Sequence, residues 1–390
     1  MRHSSGTSRF LAAAEEVVPL LARHAAEVDA EPRFPTEALA ALRATGLMGL
    51  MVPEEHGGLG GTVLDLVDVA ERLAAGCTSS ALAWAMHCQQ VDAIAHYAPQ
   101  RLASELLPRL AAGELYLASV TTEEDKGGHL LTSRAPLRER EGVLVLDRYA
   151  PVVTGGRHAD GFLITMRADE TALERDVRAV FAYRHELDVE VDGDWDTLGM
   201  RGTDSVPLRL RGELRADRVL VADGGWSEIA LRSLIPVGHL GWAATWLGAA
   251  RAALSDFLGA VRSPRRPRSV DVTSPLVAER IARVRTCLEL ASAYLHRAAE
   301  EVAELRSGGG RPEAAPTQIH LNTVKVAVAE LAFEAVNRLV LLVGLGGGYR
   351  RGALERRFRD LRSASLNNAD DRLLVATGTL ALADRKVSLL

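Results

Sequence analysis

Cysteine is scarce in this 390-residue chain. Its three copies, Cys77, Cys88 and Cys287, show neither CxxC nor metal-ligand spacing. That pattern points to reduced, buried thiols rather than a metal centre or a disulfide framework. Long apolar runs are missing too, and without a stretch of about eighteen apolar residues nothing reads as a membrane span. The short polar N-terminus leads into Phe10-Leu11-Ala12-Ala13-Ala14, which the acidic pair Glu15-Glu16 interrupts, so it reads as neither a signal nor a transit peptide. Basic residues are not in excess. The formal charge of -5 lacks the footprint of a nucleic-acid-binding chain. These absences set the expectation of a soluble cytoplasmic protein with no metal, nucleic acid or membrane among its partners.

At 47% hydrophobic and 25% charged residues, the chain has the balance of a globular protein and the length for two or three domains. Its composition changes twice. Residues 1–117 are rich in Ala and Leu at helical spacing. Pro35 stands at one helix start, and the loop Pro53-Glu54-Glu55-His56-Gly57-Gly58-Leu59-Gly60-Gly61 breaks the run. Residues 118–222 switch to short β-type segments separated by turn residues, namely 142–146, 161–166, 179–183 and 207–211. Residues 223–390 return to helix. There Val277, Ile281, Val284, Leu288, Ala291, Leu295 and Val302 recur on one face, and the segment 306–312 links two long helices. The predicted architecture is α+β and mostly α: an N-terminal helical domain, a small central antiparallel β domain and a C-terminal four-helix bundle.

Five motifs lie in order along this frame: Val52-Pro53-Glu54-Glu55-His56-Gly57-Gly58-Leu59-Gly60, Val153-Thr154-Gly155-Gly156-Arg157-His158-Ala159-Asp160, Leu198-Gly199-Met200-Arg201-Gly202-Thr203-Asp204-Ser205, Gly346-Gly347-Gly348-Tyr349 and Arg359-Asp360-Leu361-Arg362. Together they resemble the acyl-CoA dehydrogenases over essentially the whole chain. The resemblance implies FAD lying between the β domain and the bundle, with an acyl thioester inserted beside it. A base removes the α-proton while the β-hydride passes to flavin N5. It also implies a homodimer or homotetramer and an electron-transfer partner.

The same resemblance assigns roles to residues. Thr121 and Thr122 keep hydroxyls for the flavin ring, while the loop after them has become Glu124-Asp125-Lys126-Gly127-Gly128-His129. Val153 and Thr154 fall on the ring, with Thr154 in reach of N5, and Pro151-Val152 stands where the family has an aromatic residue. Arg201, Asp204 and Ser205 are polar groups for the flavin or thioester entrance, or else members of a tight turn. Arg265, in the arginine cluster 262–268, is either a pyrophosphate fork or part of a solvated loop. Gly346, Gly347 and Gly348 would let backbone amides approach the cofactor.

The conflict is at Asn368, eight residues after Asp360, where the family usually carries its catalytic glutamate. An amide cannot accept a proton as a carboxylate does. The alternative position, Ile235-Pro236-Val237-Gly238-His239-Leu240-Gly241, holds no carboxylate and offers only His239. Asp370 and Asp371 are one turn away. His87 matches a histidine of the flavin monooxygenases that share this fold, which need no α-proton base and receive reduced flavin from a reductase. Three readings stay open: a flavin-dependent acyl-thioester dehydrogenase, a flavin-dependent monooxygenase or N-hydroxylase, and a catalytically silent binding subunit.

Overall fold

Apolar residues at three- and four-residue steps form five helices in the first part of the chain: α1 (Ser5–Ala30), α2 (Thr36–Ala44), α3 (Val63–Ala74), α4 (Thr78–Tyr97) and α5 (Gln100–Ala111). The computed structural model describes residues 5–124, 130–263, 270–308, 314–367 and 369–383. The start of α3 is fixed by a capping box. Thr62 accepts the Asp65 N–H, and the Asp65 carboxylate accepts the Thr62 N–H at 2.8 Å. Helix α4 is buried along most of its length, which its many alanines and serines permit, because small side chains let α3 and α7 close on it.

The middle of the chain holds β1 (Leu117–Val120), β2 (Arg138–Arg140), β3 (Val143–Val153), β4 (Gly161–Arg167), β5 (Val177–Tyr183), β6 (Leu187–Val191) and β7 (Val206–Arg215). They make two sheets, ordered β1-β4-β5 and β2-β3-β7-β6. The second is antiparallel throughout. Its β2–β3 hairpin turns on Glu141 and Gly142, both at positive φ (52° and 78°), as a two-residue turn requires. The first sheet departs from the antiparallel expectation, since β1 runs parallel to β4 with Leu117 opposite Gly161. The long excursion through β2 and β3 supplies the crossover that parallel pairing needs.

Helix α6 (Gly225–Ile229) and one π-helical turn (Ala230–Leu234) lead into α7 (Ile235–Arg262), followed by α8 (Pro275–Ser307), α9 (Ala314–Val343), α10 (Ala353–Arg362) and α11 (Asp370–Ala383). Every residue of α7 from Ile235 to Ala250 is buried, so this helix is the axis on which α3, α4, α8 and α9 pack. On α8 the predicted face is buried at Val284, Leu288, Ala291, Leu295 and Val302, whereas Val277 and Ile281 are only partly covered. The linker expected at 306–312 begins as α8 ends at Ser307; its residues 309–312 lie outside the described residues. Cys77 and Cys88 are buried and Cys287 is half-buried, all as free thiols. Among the described residues no helix is long and apolar enough to cross a membrane.

Candidate functional site

A cavity of about 480 Å³ opens where the β sheets, α4, the start of α7 and the end of α10 meet. That volume falls within the range of small-molecule and cofactor sites. Its lining is apolar at Leu82 and Met86 from α4, Leu234 from the π-helical turn and Trp242 from α7. It also carries hydroxyls from Ser119, Thr121, Thr122, Thr154, Thr203 and Ser205. A planar heteroaromatic ring with polar edge atoms is the kind of ligand such a lining accepts.

Strand geometry decides which residues reach the cavity. Side chains alternate along β3, and the register shifts between Ala150 and Val153. Val152 and Thr154 therefore line the cavity, while Val153 is fully buried in the core behind them. The aromatic surface absent at 151–152 enters instead from Trp195 and Trp242. Thr122 Oγ1 donates to Val152 O at 2.9 Å and ties the loop after β1 to this edge.

Two of the sequence motifs meet as a clamp. Met200 N–H donates to Asp360 Oδ1 at 2.7 Å, and Arg359 Nη1 donates to Leu198 O at 2.9 Å. Arg359 also grips both Asp29 oxygens at 2.8 and 2.6 Å, which binds α10 to the end of α1. Met200 and Asp204 bracket the turn between them with φ values of 55° and 41°, a costly conformation for residues other than glycine. Asp204 faces Arg157 at 3.3 Å and His158 at 3.8 Å, outside the cavity. Arg201 is a tie rather than a wall residue, donating to Asp29 O at 2.7 Å and Thr197 O at 2.8 Å.

Burial lifts the Asp360 carboxyl from 3.8 to about 6, against the opposing pull of the Met200 N–H and the Arg356 and Arg359 charges. A carboxyl with a raised folded pKa favours the fold at low pH, and that advantage is lost as pH rises from the unfolded value through the folded one. The cost at neutral pH is about 3 kcal/mol. Asp360→Asn keeps an acceptor for Met200 and removes the charge, so denaturation midpoints taken from pH 4 to 7 should fall less steeply in the variant. Parallel profiles for the two proteins would exclude Asp360 as the source.

The proposed base positions are drawn away from the cavity. His87 is fully buried, with Nδ1 accepting the Leu117 N–H and Nε2 facing Met48 O, both at 3.0 Å. Both ring nitrogens are thereby occupied, and burial lowers its pKa to about 4. His239 lies beneath the wall against Leu321 O, at 3.1 Å from Nδ1, where burial and then the Lys325 charge lower it to about 3. Asp370 pairs with the buried Lys325 and does not line the cavity. Gly346 and Gly347 lie in the exposed turn after α9, and Gly348 is buried against Val340; none of the three reaches the cavity. Asn368 and Arg265 lie outside the described residues. Of the expected residues, Thr121, Thr122, Thr154 and Ser205 line the cavity.

Other residues complete the site without having been singled out. Thr203 joins the lining hydroxyls, and Gln89 reaches the cavity from α4 while donating to Leu234 O at 2.6 Å. Arg362 lines the mouth with its guanidinium on Ser365 Oγ at 2.6 Å. Asn367 lines it too, with a buried Nδ2 that has no hydrogen-bond partner. An unpaired buried donor on a cavity wall is costly unless a ligand acceptor meets it. No carboxylate and no imidazole is found among the described residues lining this cavity.

Comparison with known proteins defines the class. The acyl-CoA dehydrogenase N-terminal domain matches residues 10–114, and the C-terminal domain matches residues 240–368. The chain belongs to the acyl-CoA dehydrogenase superfamily and has its flavoprotein fold. Individual relatives differ in their chemistry. Over 371 residues the chain is 28% identical to the amino sugar nitrososynthase DnmZ of Streptomyces peucetius, covering 91% of this chain and 88% of that protein. It is 29% identical over 376 residues to the L-evernosamine nitrososynthase of a Micromonospora species, covering 89% and 83%. It is 25% identical over 379 residues to the short-chain acyl-CoA dehydrogenase of Clostridium acetobutylicum, covering 94% of each. Among solved structures, FMN-bound TdsC of Paenibacillus sp. A11-2 superposes with a TM-score of 0.86 at 22% identity, covering 97% and 98%. KijD3 in complex with FMN and a dTDP-linked amino sugar gives 0.83 at 24%, covering 99% and 96%.

Proposed function

We propose that this protein is a flavin-dependent monooxygenase that oxygenates a small molecule, and that its substrate presents a primary amine. The observation that carries the reading is a cavity wall without carboxylate or imidazole among its described residues. Dehydrogenation of an acyl thioester requires a base at the α-carbon. Here the position that normally supplies it is Asn368, and His87, His239 and Asp370 are committed to partners elsewhere. Oxygenation needs no such base. Two relatives named as nitrososynthases of amino sugars support an amine as the group that is oxygenated.

The residues fit a flavin ring, whether it belongs to FMN or FAD. The apolar side chains of Leu82, Met86, Leu234 and Trp242 would cover the ring and exclude water. The lining hydroxyls would orient its polar edge atoms, and Asn367 Nδ2 would satisfy one acceptor of the ring or the substrate. When bound in reduced form, the cofactor supplies two electrons for oxygen activation, so amine, dioxygen and reduced flavin give hydroxylamine, water and oxidised flavin. A flavin reductase is then the required partner.

The test supplies FMN or FAD, NADH and a flavin reductase under air, with a panel of nucleotide-linked amino sugars. Oxygen uptake coupled to a product one oxygen heavier is expected, while butyryl-CoA should leave bound flavin oxidised under anaerobic conditions. Anaerobic bleaching by an acyl-CoA, with formation of the enoyl product, would establish the dehydrogenase reading instead.

A further inference from the structure

We propose that Arg306, at the end of α8, is a positioning residue for the cavity: it holds the turn Ala230–Leu234 in its π-helical register and so sets how the cavity residues tied to α6 and α7 are oriented. The inference concerns the site of the flavin reading above and rests on that reading for its probe. A π-helical turn carries one residue more than an α-helical one, and such turns recur at functional sites. Here the backbone bond that closes it runs from Ile235 N–H to Ala230 O. The cause lies in Pro236, the second residue of α7. Within a helical run a proline has no N–H for the carbonyl four residues back, and its ring clashes with that carbonyl. The carbonyl in question is Arg232 O. Widening the turn by one residue relieves the clash, but Arg232 O still needs a donor in place of the missing N–H.

Three side chains from other helices secure the turn. Arg306 Nη2 donates to Arg232 O at 2.6 Å and replaces the missing N–H. The same guanidinium grips both oxygens of Asp92 on α4, at 2.9 Å each. Asp92 in turn accepts the Ser233 hydroxyl at 2.5 Å. Asp92 is fully buried, so its charge is committed to these partners. Gln89, one turn earlier on α4, donates to Leu234 O at 2.6 Å. It reaches that carbonyl because residue 238 is glycine; a methyl group there would lie 2.3 Å from Gln89 Nε2. Arg232, Ser233 and Leu234 are therefore each held by a different side chain from outside the turn.

The turn stands between two anchors of the cavity. Before it, Trp226 of α6 donates from Nε1 to Leu130 O at 2.8 Å. After it, α7 carries Trp242. Leu130, Leu234, Trp242 and Gln89 all line the cavity. Closing the turn into α register would rotate α6 against α7 by about 100°, one residue's share of a helical turn. The hold of Trp226 on Leu130 could not survive that rotation with Trp242 left in place. Arg306 does not line the cavity itself and acts on it through the turn.

The experiment uses the full chain, with oxidised FMN as the probe and near-UV circular dichroism as the report on the tryptophans. Pro236→Ala removes the cause of the wide turn and gives Arg232 O an N–H, so the turn should close into α register. The FMN Kd should rise about fivefold to tenfold, with an altered near-UV spectrum and a denaturation midpoint no lower than that of the wild type. A residue that merely stabilised the fold would not give that combination. Arg306→Met should raise the Kd by a similar factor, and Arg306→Lys, which keeps the charge and a donor, should recover part of the affinity. Both changes act on one turn, so the double variant should lose less than the product of the two single losses. Pro236→Ala decides the matter if Arg306→Met does not fold. Folded variants that bind FMN within twofold of wild type and keep its near-UV spectrum would overturn the positioning role while leaving the flavin reading intact. A wild type that does not bind FMN would overturn the flavin reading, and an unchanged near-UV spectrum in Pro236→Ala would then overturn the positioning role as well.

Discussion

Lys325→Met is expected to destabilise the protein by about 3–5 kcal/mol, the cost of stranding one member of a buried ion pair. The Lys325 side chain is fully buried and that of its partner, Asp370, is 9% exposed. Lys325 Nζ also donates to Ala364 O at 3.1 Å and lies 5.2 Å from the centre of the Trp246 ring. One ammonium thus ties α9 to the start of α11 and to the turn between α10 and α11. That turn carries Ser363, Leu366 and Asn367 to the cavity. Burial pushes the Lys325 pKa down and the Asp370 pKa up, so both charges are retained chiefly by each other. Removing the lysine leaves the aspartate to take up a proton. Because its folded pKa is then further above the unfolded value, the deficit of the variant should deepen as pH rises through the carboxylate range. Adding Asp370→Leu should recover most of the loss, as replacing a whole buried pair by apolar groups generally does. Chemical denaturation of the two variants at pH 5 and 8 measures both effects. Equal stability of wild type and Lys325→Met would show that the pair contributes nothing.

That pair also shows where sequence reading stops. The three-part order of the chain is legible because helix and strand leave different periodicities; the starts of β3, β4, β5 and β7 fall within about two residues of the expected ones, while 142–146 covers less than half of β3. Strands β1, β2 and β6 are not legible, since three to five residues are too few to display alternation. Motif spacing led to the region of the cavity. It pointed to position 368, which lies outside the described residues, and its neighbour Asn367 lines the cavity. Depth was invisible. His87 and His239 were chosen as titratable groups, yet their backbone partners, Met48, Leu117 and Leu321, come from distant parts of the chain. Ser205 illustrates the same limit: its Oγ meets that of Thr154 at 2.9 Å, fifty-one positions away.

Gly199→Ala is expected to act on both the fold and the cavity. A methyl group at this position would sit 2.2 Å from Arg359 O, 2.3 Å from Arg359 C and 2.6 Å from Asp360 N. All three atoms are backbone, so no side chain can swing aside to relieve the contact. The segment and α10 must separate, which strains the Met200–Asp360 and Leu198–Arg359 hydrogen bonds together. Overpacking of this kind costs about 1–3 kcal/mol, and the coupled clamp places the expected loss at the upper end. Leu198, Gly199, Met200 and Arg359 all line the cavity, so the same separation widens it. Flavin affinity should therefore fall at least about tenfold in protein that remains folded, a change of about 1.4 kcal/mol. Gly259→Ala provides the contrast. It lies on the exposed face of α7 with nothing within 4 Å of an added methyl, so it should leave binding unchanged and raise stability by up to about 1 kcal/mol. If Gly199→Ala instead melts with the wild type and binds flavin equally well, the close approach of the two motifs does not position the site. The order Gly199→Ala, wild type, Gly259→Ala in stability, with binding lost only in the first, is the outcome the packing requires.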